Sequence, residues 1–298
     1  MTLILTLGNK EQIIQLSDRR LSCNGIIIDD ESNKAGVLIC KNARLAFGFT
    51  GLARYGKFIT RDWLLDVICK SGPPDFTAKG ILDRITGSAS DEFANHPFLR
   101  HVPKKDKRIT ILFSGYLYHH DPPKGAFATI TNYQNFISKT DDAEAWDQFS
   151  VNYMIERRPL DVQMPLVFGV GNYSVVENSD MLVLKNLLVN YKPPHAITQK
   201  AIELIRDMSE RPKSNGTIGK QITSIVLPRD LTKNFDSDYH SSVNKSETYM
   251  ADTVILRGRR GDIALKDITI PSEVIPKVKG NHPCPCKSGK KYKFCHGK

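Results

Sequence analysis

Nothing in this 298-residue chain approaches a membrane span. The longest apolar runs, Leu3–Leu7 and Met181–Leu184, fall far short of the roughly 20 residues a bilayer requires. Met1 begins no basic segment followed by an apolar one, so neither a signal peptide nor integral membrane association is expected, and a cytoplasmic location is. A Gly-rich phosphate loop is also missing, which removes support for nucleotide hydrolysis. No internal repeat is present. Cysteine is scarce and unevenly placed, which argues against a disulfide framework. Cys23, Cys40 and Cys69 sit in scattered apolar contexts and read as buried small hydrophobes. The other three, Cys284, Cys286 and Cys295, crowd the end of the chain beside His296.

Charge is as uneven as cysteine. From Pro271 onward seven lysines face Glu273 alone, so +6 of the net +10 belongs to the tail and the first 270 residues are only mildly basic. Short β-like stretches at 3–7, 12–17, 24–28, 36–40 and 45–49 are separated by polar turns, the pattern of antiparallel hairpins. After Thr50-Gly51 the period becomes helical through Ile68, and Gly72-Pro73-Pro74 is expected to end that helix. A second helix is expected over 77–94 and a third over 196–209. Strands are expected at 109–113, 126–131, 166–169, 222–227 and 253–256, with the charged stretch 138–160 as an insertion. This order suits helices packed outside sheets rather than a βαβ alternation. His119-His120-Asp121 offers two adjacent imidazoles to a metal but reads as an exposed polar turn. Arg257-Gly258-Arg259-Arg260-Gly261 reads as a hairpin turn rather than a phosphate contact.

The tail carries Cys284-Pro285-Cys286, then Ser288-Gly289 as a return turn, then Cys295-His296. Three thiolates and an imidazole are a tetrahedral zinc set, and with four protein ligands no position is left open for water. The zinc is therefore expected to be structural. Lys290, Lys291 and Lys293 offset the negative charge of a three-thiolate site. This tail resembles the SEC-C motif, the zinc-binding C-terminus of the SecA translocation ATPase. That resemblance covers only the last residues and implies docking to a protein, ribosome or lipid surface.

At the other end, Met1-Thr2 precedes the strand Leu3–Leu7, a turn at Gly8–Glu11, a second strand, and Ser17-Asp18-Arg19-Arg20. Lys34 and Gly48-Phe49-Thr50-Gly51 follow. Taken singly, Asp18 reads as part of a strand-end ion-pair cluster, Lys34 as a loop lysine and Gly48 as a bulge glycine. Together, at these spacings from Thr2, they resemble the proteasome β-subunits and their bacterial relative HslV, which are N-terminal-nucleophile hydrolases. The resemblance implies removal of Met1, Thr2 as nucleophile, Asp18 and Lys34 as its assistants, and the Gly48 N–H as oxyanion donor. A threonine hydroxyl needs a base beside it; its own α-amine, with a reference pKa near ~8, can serve directly or through a water, while Lys34 lowers that amine's pKa by like-charge repulsion and polarises the hydroxyl. Two positions depart from the family: Val170 stands where Phe168-Gly169-Val170-Gly171 would carry a serine, and Asn215 where a supporting carboxylate would be.

The expected architecture is an α+β, four-layer α/β/β/α sandwich over 2–268, a linker over 269–281 and a zinc knuckle over 282–298. The expected function is amide or peptide-bond hydrolysis. A non-catalytic adaptor on the same fold, docking through the knuckle, is the alternative. Expected partners are a peptide or protein substrate, a protein or ribosome partner of the basic tail, and further copies of the chain.

Overall fold

The computed structural model describes residues 2–23, 26–70, 76–136, 138, 140–156, 165–242, 246–257, 260–265 and 268–271. The first hairpin forms as its pattern suggests. Strands β1 (Leu3–Gly8) and β2 (Gln12–Asp18) close over a turn in which Asn9 Oδ1 accepts the N–H groups of Glu11 and Gln12 at 3.0 and 3.1 Å. A small ribbon follows, β3 (Leu21–Cys23) with β4 (Ile26–Asp29), and then the hairpin β5 (Ala35–Cys40) and β6 (Ala43–Gly51). Two short strands, β7 (Arg54–Tyr55) and β8 (Phe58–Ile59), lead into α1 (Thr60–Cys69) and α2 (Ala78–Asn95). The middle of the chain supplies β9 (Ile109–Leu117), β10 (Lys124–Thr131), β11 (Gln134–Asn135), β12 (Thr140–Asp141), β13 (Ser150–Ile155) and β14 (Leu166–Gly171). Helices α3 (Asn178–Val189) and α4 (Pro194–Glu210) come next. The last strands are β15 (Ile222–Pro228), β16 (Asp236–His240), β17 (Ser246–Met250), β18 (Asp252–Arg257), β19 (Arg260–Leu265) and β20 (Ile268–Pro271).

Two seven-stranded sheets organise the body, in the orders β14-β1-β2-β15-β16-β17-β20 and β13-β10-β9-β6-β5-β18-β19. Pairing within them is antiparallel except between β18 and β5. Helices α3 and α4 cover the first sheet through Leu3, Leu5, Leu7, Ile14, Leu184, Leu188, Ile197 and Ile205. Helices α1 and α2 cover the second through Leu45, Phe47, Phe113, Leu64, Ile81 and Ile85. Between the sheets lie Ile4, Leu112 and Val170, then Ile13, Tyr116 and Phe127. The layers therefore run helix, sheet, sheet, helix, as expected from the sequence.

Several boundaries differ from the sequence expectations, each for a physical reason. The segment over 138–160 contains β13, which pairs with β10 from Ala126↔Ile155 to Thr131↔Ser150, so an edge strand stands where an insertion was expected. Its Asn, Tyr and Met face partly into solvent, which hides the apolar alternation of a strand. The first helix starts at Thr60 rather than just after Gly51, because β6 runs on to Gly51 against Ile109 and a short hairpin intervenes. Helix α3 was not foreseen, since it is apolar on nearly every side and offers no single stripe. β18 and β19 form the expected hairpin, with Arg257 opposite Arg260. β20 pairs with β17 as far as Pro271, overlapping the first residues read as linker. The Gly72-Pro73-Pro74 helix stop and the zinc knuckle lie outside the described residues. Among the described residues no helix is long and apolar enough to cross a membrane.

Candidate active site

Thr2 is the residue just before β1, and its position is fixed through its carbonyl. That oxygen accepts the Asn172 N–H at 3.1 Å and the Thr50 hydroxyl at 3.0 Å. Gly171 approaches so closely, at φ +87°, that a Cβ there would sit 1.7 Å from the same oxygen, so only glycine fits. Asp18 closes β2 and is wholly buried. Its carboxylate accepts three backbone N–H groups, from Leu3 at 2.6 Å, Arg20 at 2.9 Å and Gly219 at 3.1 Å. Lys34 enters from the residue before β5. Its Nζ lies 3.8 Å from Asp18 Oδ1 and donates to the Thr2 hydroxyl and to the Arg20 carbonyl. Three residues distant in sequence thus share one buried cluster: Thr2 is 4% exposed, Asp18 0% and Lys34 2%.

Burial governs the electrostatics here. It pushes the Lys34 ammonium down to about 8, against the pull of Asp18, which favours the charged form. It also raises the Asp18 carboxyl, opposed by the Lys34 charge and the three N–H donors. A lysine near neutrality that touches a threonine hydroxyl can exchange a proton with it at ordinary pH.

Neighbouring groups hold Lys34 in place. Asn33 bonds the Ala35 carbonyl at 3.0 Å and Asp252 Oδ2 at 3.2 Å. Asp252, 1% exposed on β18, is gripped by Arg61 of α1 through Nε at 2.5 Å and Nη2 at 2.7 Å. Arg19 caps the other side, donating to the Glu31 carbonyl at 2.6 and 3.0 Å and to Thr223 at 3.1 Å, with Tyr239 under its guanidinium.

Gly48 is placed differently from its expected role. Phe49 donates its N–H to the Lys34 carbonyl and Leu52 donates to Arg108, so the alternation of the antiparallel ladder aims the Gly48 N–H at its partner Leu112. The next amide on the edge that β5 leaves open belongs to Gly51, which has φ +104°. Gly48 instead gives room: a Cβ there would lie 3.1 Å from Ile4 and 3.4 Å from the Lys34 carbonyl. Val170 packs with Ile4 and Leu112 and contributes no hydroxyl. Asn215 is an exposed left-handed residue at φ 46° whose backbone N–H bonds the Pro212 carbonyl at 3.0 Å, while Arg20 reaches the adjacent Gly216 carbonyl at 3.1 Å.

Sequence reasoning missed Thr50, Asn172 and Gly219. Their roles come from contacts 48, 170 and 201 positions away from Thr2 and Asp18, which no local pattern encodes. The adjacent His119 and His120 rings stack 4.0 Å apart, and the described residues hold no group of three or more metal-ligating side chains. Cys40 is buried with its thiol pushed up to about 11, in keeping with a small hydrophobe. Cys284, Cys286, Cys295 and His296 lie outside the described residues.

No family model matches the chain. Among solved structures, an Anbu mutant from Hyphomicrobium sp. strain MC1 aligns with a TM-score of 0.50 at 9% identity, over 82% of this chain and 88% of that one. The body shares that fold. The Anbu ancestral β-subunit from Yersinia bercovieri is similar over 79% of this chain and 86% of its own, at 13% identity and a TM-score of 0.48. A short stretch matches the C-terminal region of the SecA translocase subunit. It is 64% identical over 28 residues to SecA of Dechloromonas aromatica and 83% identical over 23 residues to that of Francisella tularensis subsp. novicida. The chain spans only 3% and 2% of those two relatives' lengths, so the likeness concerns the stretch alone.

Proposed function

We propose that this protein is an amide-bond hydrolase of the N-terminal-threonine type, with peptides or unfolded proteins as substrates. The observation that carries this reading is the contact of Lys34 Nζ with the Thr2 hydroxyl, inside a pocket that holds the lysine near pKa 8. Removal of Met1 frees the Thr2 amine. Neutral Lys34 takes the Oγ1 proton as Oγ1 attacks the substrate carbonyl carbon. Negative charge then develops on the carbonyl oxygen, and a backbone N–H beside Thr2 receives it. On the open edge of β6 that donor is Gly51 rather than Gly48. Collapse breaks the C–N bond, the amine leaves with the proton Lys34 had taken, and an ester remains on Thr2. Water, its proton accepted by Lys34 or the Thr2 amine, releases the acid. Asp18 keeps the lysine placed and tied to the β1 backbone.

A second reading is favoured by Val170. The hydroxyl-free residue leaves the Thr2 amine one supporting group short, which suits a non-catalytic adaptor on the same fold. In either case Cys284, Cys286, Cys295 and His296 form a donor set that suits a structural Zn²⁺. The lysine-rich knuckle would then dock the body to a protein or ribosomal partner. Self-association is part of the reading too, because α3 turns Leu182 and Val183 to solvent at 60% and 37% exposure. Sedimentation of the full chain measures it.

One experiment separates the readings. Intact-mass measurement of the purified chain should show loss of Met1, and a fluorogenic peptide library should be cleaved by the wild type but not by Thr2→Ala. Retained Met1, or cleavage unchanged in Thr2→Ala, rules out the catalytic reading. For the knuckle, one zinc per chain is expected, and its persistence in Cys295→Ser would refute the ligand set.

A further inference from the structure

The inward face of the β1–β2 hairpin carries two polar side chains in adjoining positions. Thr6 and Gln15 are register partners across the hairpin and are 0% and 1% exposed. Their row lies between two apolar clusters of the inter-sheet layer, Ile4 with Leu112 and Val170 on one side, Ile13 with Tyr116 and Phe127 on the other. Among the described residues Thr6 Oγ1 and Gln15 Oε1 have no hydrogen-bond partner. The Gln15 amide is anchored on one side only, its Nε2 donating to Ser114 Oγ on β9 at 3.1 Å. Turning the amide over does not remove the shortfall, because Nε2 would then be the atom left over. Buried amide and hydroxyl groups in this state weaken a fold unless something polar reaches them.

The facing sheet supplies little side-chain volume at this row. Ser114 on β9 has Ala46 as its register partner on β6, and Gly48 is the next inward position of that strand. A Cβ at Gly48 would stand 3.6 Å from Gln15 Oε1, so no side chain of β6 separates the strand from the amide there. The three oxygens around this spot have complementary needs. Gln15 Oε1 can only accept, Thr6 Oγ1 can accept or donate, and Ser114, already accepting from Gln15, has its proton to give. A single water meets all three, donating to Gln15 and Thr6 and accepting from Ser114. That is within the about two to four polar partners an ordered interior water uses. An apolar occupant would leave every one of these atoms as it is, and a cation would be opposed by the Nε2 hydrogens of the same amide.

We propose that one ordered water is built into the inter-sheet layer, held by Thr6 Oγ1, Gln15 Oε1 and Ser114 Oγ. It joins β1 and β2 to β9, and so ties the hairpin that leads from Thr2 to Asp18 onto the opposite sheet. The site does not depend on whether Thr2 is active.

Magnetic relaxation dispersion of water deuterons, which counts long-lived internal waters, tests this on the full-length protein. The count should fall by one in Thr6→Val, which keeps the shape of the side chain and removes its oxygen. It should not fall in Thr6→Ser, which keeps the oxygen and removes the methyl group. An unchanged count in Thr6→Val, or an equal fall in both variants, overturns the proposal. High-resolution diffraction from wild-type crystals keeps the test open if a variant fails to fold. A water within hydrogen-bond distance of Thr6 Oγ1 and Gln15 Oε1 is expected there, and a layer without one overturns the proposal.

Discussion

The layer between the two sheets and the layers beneath the helices are built from opposite faces of the same strands. On β1, Leu3, Leu5 and Leu7 point to the helices and Ile4 and Thr6 to the other sheet; on β2, Ile14 and Leu16 face the helices while Ile13, Gln15 and Ser17 face inward. The helix-facing layers are mainly apolar, with Ser224 on β15, opposite Leu16, and Thr198 on α4 as buried polar exceptions. The inter-sheet layer contains Thr6, Gln15, Thr110, Ser114, Thr129 and Thr131, all at 1% exposure or less, and ends at Thr2, Asp18 and Lys34. Burying polar groups in the middle of a sandwich is costly unless they bond one another. Gln15 Nε2 bonds Ser114 at 3.1 Å and Thr110 bonds Gln134 at 2.6 Å, yet Thr6 Oγ1, Gln15 Oε1 and Thr129 Oγ1 have no hydrogen-bond partner among the described residues. The difference teaches that the outer layers rest mainly on apolar burial, whereas the inner layer buries polar groups that its own hydrogen bonds only partly compensate.

Substitutions can break or sharpen that contrast. In the inner layer, Lys34→Ala should lower peptide turnover by about 10²–10⁴-fold, with Lys34→Arg no better because arginine does not deprotonate. Steady-state kinetics on the cleaved library peptide checks it. In an outer layer, Leu5→Ala or Ile85→Ala should cost about 2–5 kcal/mol by denaturant unfolding, while the pH profile of any activity stays where it was. A shifted profile would show that the layers are not independent.

The Lys34 pKa gives a third check. Because the folded value is about 8 and the ordinary lysine value 10.5, the unfolded chain binds more protons between those limits. Folding therefore carries its full penalty from this group below about pH 8, and stability rises as pH climbs from there toward 10.5. Lys34→Met should flatten that rise in unfolding midpoints measured across the window. Activity should rise with pH through about 8, and Asp18→Asn should move that midpoint down, since Asp18 favours the charged lysine. Smaller still, Ser114→Ala should cost about 1 kcal/mol through the lost Gln15 bond, measured by the same unfolding. The exposed pair Lys70–Asp66 should contribute within about 0.5 kcal/mol, read from Lys70→Ala.

Much of the fold was legible in the sequence because short apolar stretches between polar turns mark most strands, and α2 and α4 carry one apolar stripe. Residues 3–7, 12–17, 36–40 and 222–227 became β1, β2, β5 and β15 nearly as read. Where both sides of an element are apolar, as in α3, or where an edge strand is half-wetted, as in β13, periodicity fades and the expectation failed. The candidate site was half legible. Thr2, Asp18 and Lys34 were singled out by the resemblance to the proteasome β-subunits and do lie together, but the Gly48 N–H is directed into the β6–β9 ladder, a fact set by strand register.

By itself the sequence determined the short apolar stretches of the strands, the Thr2, Asp18 and Lys34 spacing at the start, and the thiol-rich, lysine-rich end with its expected zinc set. It did so because each is a matter of residue type at short spacing. Only the tertiary structure decided that the polar strand faces turn toward each other rather than toward water. It also decided that Asn172, Thr50 and Gly219 hold Thr2 and Asp18, and that the Lys34 ammonium is pressed toward neutrality. Those outcomes depend on long-range packing, since a lysine loses its proton readily only when folding removes the water around it.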